Sequence, residues 1–178
     1  MLLRVCGCAA CGQAADGDAP VTARSPEPDA VVQGNRVIHT FTVTNTGSSE
    51  LTTSSLKLPK GFILIEGLSS SIAAGASDTF QVMMDTSSLG KKAGQISFKT
   101  NDIDERVFNF SVSGTVNPLL VSGNDGDNTF HAIEIAELFV GHGGSDTVSY
   151  AVASAGITAS LLNPAGNTGF AKNDTSVT

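Results

Sequence analysis

The feature that most constrains the fold is a repeated alternation of apolar and polar residues between Asn35 and Thr115. A period of two is typical of strands with one buried face. Turn residues such as Asn45-Thr46-Gly47 and Pro59-Lys60-Gly61 separate the runs, and no stretch of this region has a helical period. The pattern predicts an antiparallel sandwich. Its expected core residues are Val37, His39, Phe41 and Val43, then Phe80, Val82 and Met84, then Ile96 and Phe98, and finally Phe108, Phe110 and Val112.

The charge balance excludes several classes of partner. Of the 178 residues, 10 are Lys or Arg and 17 are Asp or Glu, for a net charge of -7. Nucleic acids and anionic membrane surfaces attract a basic face, so we expect neither as the main partner. No run approaches the roughly 18 apolar residues of a membrane-spanning helix, so we expect no membrane span.

Residues 1–26 are predicted to be a disordered tail, because they are mostly small or polar and end in Ser25-Pro26. Cys6, Cys8 and Cys11 all lie in this tail, so no disulfide can cross-link the body of the protein. Cys8 and Cys11 have the spacing of a redox or metal pair. Nothing nearby completes a tetrahedral site, so we expect no metal or redox function there.

Two polar features inside the alternating region have simple structural explanations. Asn101-Asp102-Ile103-Asp104-Glu105 is acidic but lacks the carboxylate spacing and glycine of an EF-hand loop, so we expect a turn. His39 shares the apolar face of its strand, where a lone histidine is expected to be hydrogen-bonded near the edge of the core.

The run Thr40–Gly47, the Ala74-Gly75 turn before Phe80, the acidic turn and Phe110–Gly114 together resemble the immunoglobulin-like repeat of choice-of-anchor D proteins. Hydin-type proteins share much of this pattern. The resemblance covers residues 27–117 and implies an immunoglobulin-like sandwich, but it implies no chemistry.

Residues 118–178 have a different pattern and carry net charge -5. Gly123–His131 can be aligned with Gly141–Ser149 at an offset of 18, and both follow the nonapeptide G-G-x-G-x-D-x-U-x, where U is a large apolar residue. Ala132–Val140, between them, lacks the glycines but keeps Glu137 at position six and Phe139 at U. Two nine-residue units form one coil of a parallel roll, so turns 18 residues apart are expected to stack.

These units resemble hemolysin-type, or RTX, calcium-binding repeats, and the likeness extends over residues 119–176. The resemblance implies a short, incomplete parallel β-roll that folds on binding calcium through backbone carbonyls and the position-six side chain. Asn128 supplies no charge at that position, and repeat arrays generally need three or more units, so a metal-free roll remains the alternative. The expected metal-site residues are Gly123, Asp125, Gly126, Asn128, Gly141, Gly143, Gly144 and Asp146. His131 and His142 are expected to face solvent.

The sequence contains no catalytic motif: no H-E-x-x-H, no G-x-S-x-G and no phosphate-binding loop. We therefore expect no enzyme. The leading hypothesis is an all-β, non-catalytic, extracellular or cell-surface fragment, in which a sandwich acts as a spacer or contacts cell-surface proteins or glycans and a β-roll binds calcium. The alternative is a metal-independent scaffold of the Hydin type.

Overall fold

The structure is a computed structural model that describes residues 3–7, 10–13, 31–160 and 163–177. The chain divides into two compact units. The first comprises Met1–Val31, Arg36–Thr86 and Lys91–Thr115, and the second comprises Val32–Asn35, Ser87–Gly90 and Val116–Thr178. Among the described residues, no helix is long and apolar enough to cross a membrane.

Two five-stranded sheets contain the alternating sequence. Their strand orders are β2-β1-β4-β8-β6 and β3-β10-β9-β5-β7. The pairings of β4 with β8, β6 with β8 and β5 with β9 are antiparallel. The predicted all-β, immunoglobulin-like sandwich is confirmed. The strands are β1 (Leu3–Gly7), β2 (Ala10–Gln13), β3 (Val31–Val32), β4 (Val37–Asn45), β5 (Leu51–Lys57), β6 (Phe62–Glu66), β7 (Ser71–Ile72), β8 (Ser77–Met84), β9 (Gly90–Thr100) and β10 (Val107–Asn117).

The core of the first unit lies where the alternation predicts it. Phe80 is fully buried, and its ring centroid lies 5.1 Å from that of Phe41 and 6.5 Å from that of Phe110. His39 shares this face of β4 but is half-buried. The alternating burial follows from the period of two, which sends successive side chains to opposite faces of a sheet. The other buried apolar residues of this core are Val43, Leu51, Ile72, Val82, Ile96, Phe98, Phe108 and Val112.

Asn45 ends β4 with a buried polar side chain. Its Nδ2 donates to the carbonyl oxygens of Ser49 and Ile72, both at 2.9 Å, and its Oδ1 accepts from the backbone N–H of Gly47 at 3.0 Å. All the hydrogen-bonding groups of the amide are therefore engaged, which is what allows a polar group to be buried at a turn.

The acidic stretch between β9 and β10 forms the predicted turn. The backbone N–H of Asp104 donates to Asp102 Oδ1 at 3.2 Å, and the hydroxyl of Thr100 donates to the carbonyl oxygen of Glu105 at 2.6 Å. Burial, followed by repulsion from Asp102, raises the pKa of Glu105.

The structure differs from the predicted tail at β1 and β2. These strands pair with each other, and β1 pairs antiparallel with β4, from Leu3 opposite Asn45 to Gly7 opposite Phe41. A strand that adds to a sheet edge is held by backbone hydrogen bonds. It therefore does not need an alternating pattern of apolar side chains that could be recognised in the sequence. Cys8 of the Cys8–Cys11 pair and residues 14–30 lie outside the described residues.

The second unit contains parallel strands. One sheet has the order β11-β13-β15 and another pairs β12 with β14. Gln33 also belongs to this unit: its Oε1 accepts from the backbone N–H of Ala136 and its Nε2 donates to the carbonyl oxygen of Ser87, both at 2.8 Å. The strands are β11 (Leu119–Ser122), β12 (Thr129–His131), β13 (Glu137–Val140), β14 (Thr147–Ser149) and β15 (Thr175–Val177), and two short 3-10 helices span Pro164–Gly166 and Gly169–Ala171.

Candidate metal centre in the glycine-rich turns

In the second unit, residues that pair across β11 and β13, and across β12 and β14, are 18 positions apart in the sequence. Thr129 pairs with Thr147 and Phe130 with Val148, in parallel. The same offset relates β11 to β13. Each 18-residue coil therefore lies over the next, and the turns that precede β12 and β14 stack as the nine-residue spacing predicts.

Glycines allow the two turns to approach closely. Gly144 has a φ of +93°, and a Cβ on it would lie 2.5 Å from the carbonyl carbon of Gly126 in the turn below. A Cβ on Gly143 would lie 3.0 Å from the carbonyl oxygen of Asp125. Gly144 therefore requires glycine, and a side chain at Gly143 would force the neighbouring backbone to shift by a few tenths of an ångström. The structure thus brings the predicted residues of the two turns together.

The glycine at position one of each turn faces the side chain at position six of the same turn. A Cβ on Gly123 would collide with Asn128 Oδ1, and a Cβ on Gly141 would collide with Asp146 Oδ2. The two turns therefore hold their position-six oxygens in equivalent places. Asn128 and Asp146 are the predicted ligand pair.

In two of the nonapeptides the position-six oxygen accepts a hydrogen bond from its own turn. Asn128 Oδ1 accepts from the backbone N–H of Asn124 at 2.8 Å. Glu137 Oε2 accepts from the backbone N–H of Ile133, also at 2.8 Å. Both donors lie at position two, four residues before the acceptor. The Ala132–Val140 turn, which lacks the glycines, therefore keeps the same hydrogen bond between positions two and six.

Aspartate carboxylates also connect one coil to the next. Asp146 Oδ1 accepts from the backbone N–H of Asn128 at 3.0 Å, and Asp174 Oδ1 accepts from the backbone N–H of Glu137 at 2.9 Å. Asp127, at position five, accepts from the backbone N–H of Ser145 at 2.7 Å. Each of these bonds fixes the stacking of two successive coils.

Asp174 is the residue that the repeat pattern alone misses. β15 pairs with β13 in parallel, with Leu138 opposite Thr175, which places Asp174 beside Glu137 as Asp146 lies beside Asn128. If Asp174 occupies position six of a nonapeptide, then position one of that nonapeptide is Gly169. Gly169 follows Gly141 by 28 residues, which is not a multiple of nine. The shared Asp-Thr dipeptide of Asp146 and Asp174 was the signal that could have revealed this unit.

Glu137 and Asp174 are both nearly inaccessible to solvent, at 1% and 2% exposure. Burial, with repulsion from Asp174, raises the pKa of Glu137, although the N–H of Ile133 opposes the shift. Burial also raises the pKa of Asp174, against its bonds from Glu137 N–H and Tyr150. The hydroxyl of Tyr150 donates to Asp174 Oδ2 at 2.9 Å, and burial followed by this bond raises the pKa of Tyr150.

The stacked turns offer the hard oxygen donors that calcium prefers. Asp125, Asp127 and Asp146 are exposed, and Asn128 is half-buried. The donor chemistry therefore fits calcium. Side chains alone do not form a complete site, since within the described ranges no three His, Cys, Asp or Glu residues are grouped closely enough to hold a metal ion. A bound ion would depend on backbone carbonyl oxygens as well.

The two histidines beside the turns are both exposed. His142 has a φ of +66°, and its Nε2 lies 3.0 Å from the hydroxyl oxygen of Ser122. Imidazole nitrogen is a poor ligand for a hard cation, so neither histidine adds to the calcium donors.

No protein-family profile and no characterised protein sequence matches the chain. Among solved structures, the ASH / PapD-like domain 7 of human CEP192 is similar over 50% of this chain and 78% of its own, with 12% identity and a TM-score of 0.42. A Porphyromonas gingivalis protein of unknown function is similar over 57% and 54%, with 13% identity and a TM-score of 0.42. The Vibrio cholerae protease VesB is similar over 49% of this chain, with 17% identity and a TM-score of 0.36, and the chain spans 30% of its length. Similarities this low carry no functional assignment.

Proposed function

We propose that the chain is a non-catalytic, extracellular calcium-binding protein segment, in which the stacked turns of the second unit hold the ion as a short β-roll of the RTX type. The observation that carries the proposal is the 18-residue register of β12 and β14, which stacks two glycine turns with Asn128 and Asp146 in equivalent places. Asp125 and Asp146 would supply negative charge, and Asn128 an amide oxygen.

The role of calcium in this proposal is to add stability to a small unit. An ion that binds the folded state alone shifts the folding equilibrium toward that state. Extracellular calcium modules commonly bind with dissociation constants of about 0.1–1 mM, so the ion would load after export.

The sandwich would serve as a spacer of the choice-of-anchor D type or as a surface for cell-surface proteins or glycans. Its described interior is filled by aromatic and aliphatic side chains. Nothing in that interior provides a nucleophile beside a base, which supports a role in connection or adhesion rather than catalysis.

Isothermal titration of the full chain with calcium tests the metal site. We expect one ion per chain and a dissociation constant near 1 mM. Asp146→Asn keeps an oxygen that can accept the N–H of Asn128 but removes the charge, so affinity should fall about tenfold or more. The matched control is Asp104→Asn, which changes an exposed aspartate in the sandwich and should bind as the wild type does. Equal affinity in both variants, or no binding up to 10 mM, would overturn the proposal.

The second candidate is a metal-independent scaffold, such as a Hydin-type domain that docks onto a protein assembly. It is favoured by the bonds that already connect the coils without an ion: Asn128 N–H to Asp146, and Glu137 N–H to Asp174. If this candidate is right, chelation and calcium addition leave the circular dichroism spectrum and the unfolding midpoint unchanged.

A further inference from the structure

A cleft of about 490 Å³ lies within the second unit, beside the second glycine-rich turn. Its accessible apolar lining comes from Val148, Val177 and Ala159, and the buried rings of Phe130 and Phe139 lie behind it. Polar groups line the rest, among them Tyr150 and Asp174. A cleft of this volume, with apolar walls and a few converging polar groups, has the dimensions and character of a small-molecule site.

The lining contains two carboxyl groups, of which Asp146 is the accessible one. The other belongs to Asp174, and the described residues of the lining include no Lys or Arg. Asp174 is 2% exposed and is held by the hydroxyl of Tyr150 at 2.9 Å, so its position is fixed. Asp146 is exposed, and its Oδ1 accepts from Asn128 while Oδ2 lies over Gly141. One accessible carboxylate, that of Asp146, therefore lines the cleft.

We propose that this cleft binds a small organic cation, a protonated primary amine that carries an aromatic ring. The ring would pack on Val148 and Val177, the accessible apolar side chains of the lining, and the ammonium group would face the carboxylate of Asp146. An anion of the same shape would face the carboxylate of Asp146, with no Lys or Arg among the described lining residues to compensate.

The inference does not require calcium, although the second turn and Asp146 line both the cleft and the proposed metal site. The binding experiment is therefore carried out in EDTA. The amide spectrum in EDTA is recorded before any probe is added: a second unit that is unfolded without the ion overturns this inference and leaves the calcium proposal standing.

Three probes of nearly equal size separate charge from shape: 2-phenylethylammonium, 2-phenylethanol and 3-phenylpropionate. Binding to the full chain is followed by amide chemical-shift changes in nitrogen–proton NMR spectra. We expect the ammonium to bind saturably, the alcohol about tenfold more weakly, and the carboxylate not measurably. Equal binding of all three, or no saturable binding of the ammonium up to 10 mM, overturns the proposal.

Two pairs of variants locate the site. Ala159 is an exposed residue of the lining, so Ala159→Trp should abolish binding of the ammonium, whereas Ala151→Trp, at an exposed alanine outside the lining, should leave it unchanged. Asp146→Asn should weaken the ammonium about tenfold and leave the alcohol unaffected. Spectra of each variant without ligand establish that it is folded. Undiminished binding by folded Ala159→Trp contradicts the assignment of the site.

Discussion

The two units are stabilised by different means. The core of the first includes five buried phenylalanines, Phe41, Phe80, Phe98, Phe108 and Phe110, whereas the apolar cluster of the second has Phe130, Ala132 and Phe139 as its buried members. In the second unit, side-chain oxygens of Asn128 and Glu137 bond to the backbone of their own turns, and those of Asp146 and Asp174 join one coil to the next. Where little apolar surface is buried, such bonds have to supply the specificity that packing supplies elsewhere.

The largest expected effect comes from the sandwich core. Phe80→Ala removes a fully buried ring and should lower the free energy of unfolding by about 3–5 kcal/mol, measured by urea denaturation with far-UV circular dichroism. Ile103→Ala is the control, because Ile103 is 76% exposed and its truncation should change stability by about 0.5 kcal/mol or less. A loss below about 1 kcal/mol at Phe80 would show that the sandwich does not depend on this core.

The next effect tests the bonds of the second unit. Asp174→Ala leaves the buried N–H of Glu137 and the hydroxyl of Tyr150 without their acceptor, so we expect a loss of about 2–3 kcal/mol. Tyr150 is the one tyrosine in a chain without tryptophan, so its fluorescence during urea unfolding reports on the second unit. Asp174→Asn retains an oxygen acceptor and should lose less. Wild-type stability in the alanine variant would mean that these bonds do not hold the coils together.

A glycine series separates backbone strain from steric contact. Gly144→Ala should cost about 2 kcal/mol, because it combines a φ of +93° with collision against Gly126. Gly75→Ala in the sandwich has a φ of +74° but open space around it, so it should cost about 1 kcal/mol. Gly156→Ala has neither feature and should be near neutral. If Gly144 and Gly75 gave equal losses in thermal unfolding, the close stacking of the two turns would be refuted.

The smallest effect concerns pH. The folded-state pKa values of Glu137 and Asp174 lie above their ordinary values of 4.5 and 3.8. Their contribution to stability is therefore fully present at low pH, where both are protonated, and is lost as pH rises through the raised pKa values. Unfolding of the second unit, followed by Tyr150 fluorescence from about pH 4 to pH 7, should show this decline. Glu137→Gln should flatten it, and an unaltered decline in that variant would exclude Glu137 as a source.

The sequence predicts the sandwich well because strand burial has a simple period. The alternation through Phe80 and Val82 identified the buried face, and residues at these positions are 0% and 2% exposed. The offset of 18 likewise predicted the register of β12 and β14. Both predictions succeed because the structure repeats at a fixed interval along the sequence, two residues in a strand and 18 residues in the coils, and side chains follow that interval.

The part that sequence reasoning missed depends on contacts between distant residues. Asp174 occupies position six of a coil whose spacing is interrupted, so no period leads to it, and its role appears when β15 pairs with β13. The pairing of β1 with β4 is missed for a related reason, since backbone hydrogen bonds impose little side-chain pattern. The calcium ligands stay a prediction. In the structure, Asn128 Oδ1 and Asp146 Oδ1 accept backbone hydrogen bonds.

The measurement that tests the central claim most directly is the urea unfolding midpoint of the second unit, read from Tyr150 fluorescence, with and without calcium. At 10 mM calcium and a dissociation constant near 1 mM, binding to the folded state should stabilise it by about 1.4 kcal/mol. We expect that shift in the wild type and in Asp104→Asn, and its loss in Asp146→Asn or when magnesium replaces calcium. An unchanged midpoint in the wild type, or the same shift in Asp146→Asn, would contradict the account.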